Sequence, residues 1–131
     1  AFIEDPRNVP ALTNLGYLDV LDNNLAEAEK KYAKAKALDP DYKPLLLNIA
    51  GLKIAKGELI EAVNLLIGML KADSKENDKV IKALLSVAVF KANAGDFKFA
   101  DEIVSRILSK DKMNMDVKEF SKQLKIKKNG K

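Results

Sequence analysis

The chain has 131 residues, of which 47% are hydrophobic and 32% charged, with few aromatics, six Gly and four Pro. That balance favours one folded unit rich in helix formers, with enough length for a core. Cys, His and Trp are absent, which excludes disulfides, ordinary zinc sites and Ser-His-Asp or Cys-His nucleophilic machinery.

The net charge of +4 is unevenly placed. Residues 1–117 carry 17 basic and 18 acidic side chains, whereas residues 118–131 carry six Lys against one Glu. The basic end has no aromatic interleaving and no nucleic-acid motif, so a solvated terminal segment is expected there and no nucleic-acid partner. No apolar run reaches the roughly 20 residues of a membrane span. The lack of Cys is compatible with any compartment, so localisation is left open.

Taken in chain order, Ala1 lies five residues before Pro6, as Ala35 lies five before Pro40. Residues 1–8 therefore read as the remnant of a preceding repeat, and the chain as a piece excised from a longer protein. A helix is expected over 9–22, with Pro10 tolerated in its first turn. Leu12, Leu15, Leu18 and Leu21 follow helical spacing. Asn23-Asn24 makes the turn. A second helix over 25–38 places Ala28, Tyr32 and Ala35 on one face. Asp39-Pro40 ends it, because proline disfavours helix in the residue before it.

The chain then repeats itself at an offset of 34 residues. Asp5-Pro6 is answered by Asp39-Pro40, and Pro10 by Pro44. Leu12, Asn14, Leu15 and Gly16 return as Leu46, Asn48, Ile49 and Ala50, while Ala28 and Tyr32 return as Ala62 and Leu66. A fixed period of this length indicates a stacked helical solenoid. Repeat one covers residues 9–42 and repeat two 43–76, with Gly57 at the turn and a second helix expected over 59–72.

Repeat three, 77–112, is offset by 38 residues: Gly57 maps to Gly95, Leu59 to Phe97, Ala62 to Ala100 and Leu66 to Val104. The four surplus residues fall between Asp73 and Val80. They amount to about one helical turn, and Asp73 with Glu76 forms a plausible N-cap pair. The first helix of repeat three is thus expected to start early and run one turn longer. In 113–131, Met113, Val117, Phe120 and Leu124 form one apolar stripe with Lys elsewhere. That pattern suits a capping helix with a wet outer face, followed by a basic tail, 125–131, expected to fray.

Small and apolar residues at these spacings resemble the tetratricopeptide repeat: Leu12-x2-Leu15-Gly16, then Ala28-x3-Tyr32-x2-Ala35, then Asp39-Pro40. The resemblance covers nearly the whole chain and is weakest in repeat three, where Lys112 replaces the closing Pro. It implies an all-α, right-handed α-solenoid of antiparallel helix pairs. It also implies a concave groove lined by the first helix of each repeat. Position by position, those groove residues are Thr13, Asn14, Tyr17 and Leu21; Leu47, Asn48, Gly51, Ile54 and Ala55; and Lys82, Leu85, Ser86, Val89 and Asn93. A physical reason for the small residues stands beside the resemblance, since Gly16, Ala50 and Ala88 allow close approach of neighbouring helices.

The first helix of repeat two is apolar around most of its circumference, from Leu45 to Ala55. A helix of that kind is buried on most sides. Packing between repeats uses one side, and the strip Leu47, Gly51 and Ile54, with Leu85 and Val89, is expected either to form an exposed apolar patch of the kind that marks interaction sites or to be buried against the chain's own helices by the curl of the superhelix. The resemblance also raises a carboxylate clamp for a peptide C-terminus. Asn48 and Lys82 fit it, but Thr13, Tyr17 and Ser86 stand where its other polar and charged groups belong, so the clamp is disfavoured. The acidic run from Asp73 to Asp78 fails as a calcium loop, because Lys75 takes a ligand place and no Gly supplies the turn. No phosphate-binding motif is present.

These features point to a protein-interaction module, neither an enzyme nor a cofactor carrier, that takes a protein or peptide partner in its groove. Two alternatives are self-association through the truncated N-terminal face, where Leu12, Leu15 and Leu18 are expected to be partly bare, and a scaffold segment of a larger enzyme or sensor.

Overall fold

The computed structural model describes residues 8–130. It contains α-helices and one 3-10 helix, with no strand among the described residues. In chain order these are α1 (Val9–Leu21), α2 (Leu25–Leu38), α3 (Lys43–Ala55), α4 (Leu59–Gly68), the 3-10 helix Lys75–Asn77, α5 (Asp78–Asn93), α6 (Phe97–Lys110) and α7 (Met115–Asn129). The remnant expected at 1–8 lies outside the described residues, apart from Asn8. The chain divides into two compact units, Ala1–Ala62 and Val63–Lys131.

In the first unit, the Asn8 side chain accepts a hydrogen bond from the Ala11 amide at 2.8 Å and caps α1, with Pro10 in the opening turn. The chain leaves α1 through Asn23, whose φ is 64°. Asparagine tolerates this left-handed region better than most residues. The Asn24 amide then donates back to the Asp19 carbonyl at 2.7 Å. The same turn closes α3, where Gly57 has φ 81° and Glu58 donates to Lys53 at 2.8 Å. It recurs after α5 in the second unit, with Gly95 at φ 90° and Asp96 donating to Lys91 at 2.8 Å. One local device thus ends three helices and satisfies their last carbonyls.

The core of the first unit gathers Leu12, Ala28, Tyr32, Ala35, Leu45 and Leu52, with Val9, Val20, Leu25, Tyr42 and Ile49 packed around it. Here α1 packs against α2 and α3, and α2 against α3. The close approach is made at Gly16: a Cβ there would sit 2.4 Å from a ring carbon of Tyr32. The pair is further fixed by Lys31 of α2, whose ammonium lies 2.6 Å from the Asp19 carboxylate in a partly buried ion pair.

In the second unit, α4 stops at Gly68, one turn short of the expected end at 72. Met69 and Leu70 tighten the exit by donating three residues back, and Leu70 is buried. As expected, the first helix of repeat three starts early: α5 begins at Asp78, ahead of the place that Lys43 of α3 takes at the 38-residue offset, and its 16 residues exceed the 13 of α1 and of α3 by nearly one turn. The 3-10 helix precedes it, capped by Ser74 in place of Asp73.

A buried polar knot holds this connection. Asn77 is almost fully buried. Its side-chain amide donates to the Lys71 carbonyl at 2.7 Å and to Asp111 Oδ2 at 3.1 Å, and its oxygen accepts from the Lys71 amide at 2.9 Å. Asp73, at φ 46°, donates its amide to the Lys110 carbonyl and accepts from the Lys112 amide at 3.1 Å. These bonds tie the α4–α5 connection to the end of α6, and they occupy oxygens that a calcium loop would present to a metal.

Beyond it, α5 packs on α6, and α7 packs on both. Asn114 caps α7 by accepting from the Val117 amide at 3.0 Å. Val117 and Leu124 are buried and Phe120 half-buried, as the stripe requires, whereas Met113 is exposed. The segment expected to fray is helical as far as Asn129, where α7 ends. Near its end Lys127 donates to Asn93 Oδ1 of α5, and Lys128 lies 3.6 Å from Asp101 of α6. Among the described residues, no helix is long and apolar enough to cross a membrane.

Candidate interaction surface

The residues expected from the sequence to line a groove lie on α1 and α3 in the first unit and on α5 in the second. On α1, Asn14, Tyr17 and Leu21 are exposed, Tyr17 at 49% and Leu21 at 62%. They project from one side of the helix, as an i, i+3, i+7 series does. Thr13 is different. It is buried at 2%, and its hydroxyl donates to the Val9 carbonyl at 2.8 Å. A threonine that bonds back into its own helix offers nothing to a partner.

Of the three leucines expected to be partly bare, Leu12 is buried, Leu15 half-buried and Leu18 53% exposed, where it widens the apolar area beside Tyr17 and Leu21. On α3, Leu47, Asn48 and Ile54 are half-buried while Gly51 and Ala55 are exposed. A Cβ at Gly51 would meet nothing within 4 Å. The strip on α3 is therefore more covered, and that on α1 more open, than the composition of the two helices suggests.

In the second unit, Lys82, Ser86 and Val89 of α5 are exposed and Leu85 is half-buried. Ser86 donates its hydroxyl to the Lys82 carbonyl at 3.0 Å, and Asn93 accepts from Lys127. Both polar side chains already hold partners within the unit. Phe90, at 63% exposed, was not anticipated. Its place, next to Val89 and five residues after Leu85, could have flagged it as an apolar residue on the edge of the same strip.

The hydrogen-bonding groups left free differ between the units. Asn14 and Asn48 make no side-chain hydrogen bond among the described residues, whereas Ser86 and Asn93 do. Electrostatics adds little on this side. The ion pairs of the first unit, Lys53 with Glu61 at 2.9 Å and Lys56 with Glu29 at 3.3 Å, stand around a depression of about 180 Å³ between α2 and α3.

A wider, open depression in the second unit is lined by Asp101, Glu102, Arg106 and Lys128. Its charges pair locally, Lys128 with Asp101 and Arg106 with Asn64. Among the described residues, no three acidic side chains cluster in a way that could hold a metal ion.

Tyr32 is the one strongly perturbed titrating group among the described residues. Burial, with smaller contributions from Asp19 and Tyr17, pushes its phenol up to about 12. Its hydroxyl is buried without a hydrogen-bond partner. It keeps its proton at neutral pH, and its ring fills the core beside Gly16.

No protein-family model, no curated protein and no solved structure matches the chain.

Proposed function

We propose that the chain is a tetratricopeptide-type α-solenoid that binds an apolar or amphipathic segment of another protein on the exposed faces of α1, α3 and α5. The observation that carries this is the set of large apolar side chains left in solvent on those faces. Tyr17, Leu18 and Leu21 are 49–62% exposed on α1, and Val89 and Phe90 are 43% and 63% exposed on α5. Isolated exposed apolar residues are ordinary, but contiguous ones mark interaction sites. Unspent amides at Asn14 and Asn48 supply the polar contacts that fix a peptide's register.

The repeat architecture in this proposal draws support from three like turns, at Asn23, Gly57 and Gly95. It also draws on the burial of Ala28, Ala62 and Ala100, each 0% exposed. The test is selection of peptides from a random library on the full chain, followed by titration against Tyr17→Asp/Leu21→Asp and Val89→Asp variants. Loss of binding in these variants, with helicity unchanged, is expected. Equal binding to wild type and both variants would sink the proposal.

Self-association through α1 is the second reading, favoured by the exposure of Leu18. Light scattering separates the two. A dimer dispersed by Leu18→Asp, with no peptide selected, supports self-association.

A further inference from the structure

The outer strip of α7 is chemically unlike the matching strip of α1. Both helices are capped by an asparagine that accepts from the amide three residues on, Asn8 from Ala11 and Asn114 from Val117. Counted from these caps, Met115, Lys118, Lys122, Lys125 and Ile126 hold the places of Val9, Leu12, Gly16, Asp19 and Val20. On α1 that strip is what α2 covers. Leu12 and Gly16 are buried, Val9 and Val20 pack against the core that holds Ala28, Tyr32 and Ala35, and Asp19 pairs with Lys31.

On α7 the same strip is bare. Met115 and Ile126 are 71% and 61% exposed at its two ends. The three Lys between them are exposed and have no acidic partner among the described residues; Lys118 reaches only the Met113 sulfur, at 4.0 Å. The buried side chains of α7, Val117 and Leu124, face its own unit, and Lys127 and Lys128 hold the helix end in place. The strip is thus a row of cations on one side of the helix with an apolar side chain at each end.

We propose that this strip docks an acidic amphipathic helix of a partner protein, which lies on α7 as α2 lies on α1. The charge pattern names the occupant. Where Lys31 of α2 meets Asp19 of α1, the docked helix places an acid against Lys125, with further acids one and two turns away against Lys122 and Lys118. Apolar side chains at its ends cover Met115 and Ile126. The long Lys stems lie along the interface while their ammonium groups stay wet. An anionic lipid surface fits less well. Binding there needs an apolar face to insert, and the apolar face of α7 is spent on its own unit.

The test uses the full chain and a labelled synthetic peptide with Glu at three successive helical turns and Leu at both ends, followed by fluorescence anisotropy at low and high salt. A scrambled peptide of equal composition and phosphatidylserine-containing vesicles are the comparisons. Binding is expected to weaken with salt. It should weaken about tenfold or more in Lys118→Glu/Lys122→Glu/Lys125→Glu, since three pairs are reversed. The milder Lys→Gln triple and Met115→Ser/Ile126→Ser should weaken it by less. Reversing Lys30, Lys34 and Lys36 on α2, where Glu27 and Glu29 are interleaved, should leave it unchanged. The proposal is overturned if the scrambled peptide binds equally, if vesicles bind in preference, if the α2 variant weakens binding as much, or if no peptide binds.

Discussion

Gly16 and Tyr32 meet at a distance that leaves no room for a methyl group. A Cβ at Gly16 would lie 2.4, 2.8 and 3.0 Å from three atoms of the ring, and the ring is itself buried on all sides. Gly16→Ala should therefore destabilise the first unit by about 1–3 kcal/mol through overpacking, read as a lower urea midpoint. Gly51→Ala is the control. Its Cβ would enter open space, so the residue should behave as an ordinary helical alanine and stabilise by about 0.5–1 kcal/mol. Tyr32 gives a second test. With its phenol pushed up to about 12 and an unfolded value near 10, the unfolded chain ionises first as pH rises. It then binds fewer protons than the native state, and stability falls across that window. Tyr32→Phe should remove this loss, so that the difference in urea midpoint between wild type and variant declines only above about pH 10. Below that pH the variant should be as stable as wild type or more so, because it deletes a buried hydroxyl without a partner.

At the scale of elements, the boundaries legible in the sequence are those set by local chemistry. The turn residues Asn23, Gly57 and Gly95 and the stop at Asp39-Pro40 all lie where expected, because the backbone conformation each favours is a property of the residue itself. The early end of α4 was not legible. Met69 to Ala72 contains no helix breaker, and the helix yields there because the Lys71 backbone is claimed by a side chain six residues on. The order of the Lys-rich tail is hidden for the same reason: its anchors, Asn93 and Asp101, are distant in sequence. Within the candidate surface, Asn14, Tyr17 and Leu21 of α1 are exposed, whereas Thr13 turns inward to its own helix. The knot at Asn77 predicts a sharp response. Asn77→Ala strands Lys71 and Asp111 partners in a buried site and should cost about 2–4 kcal/mol, measured by urea unfolding. Asn77→Asp sets a second carboxyl within about 3 Å of Asp111. Like charges at that distance raise the carboxyl pKa, so this variant should be weakest at neutral pH and regain stability as the pH falls through the raised value.

For the whole molecule, the repeat proposal and an ordinary single-core helical bundle make opposite statements about how damage spreads. In a stack, each repeat leans on its neighbours, and stability is close to a sum of local and nearest-neighbour contributions. In a bundle with one core, loss at any point lowers the whole cooperative unit. Leu124 is suited to separate them, because it is buried in the last helix and distant in sequence from α1. Leu124→Ala should cost about 2–5 kcal/mol where it acts. Hydrogen exchange followed amide by amide then shows where the cost lands. A stack predicts a graded loss of protection, largest in α7 and α6, smaller in α5 and least in α1. The exposed apolar side chains of α1 would then keep their setting, and a partner that reads Tyr17 and Leu21 should still bind the variant. Equal loss of protection in every helix would instead mean a single core, and the 34-residue period of the first two repeats would then describe how the helices are written without describing how they hold together.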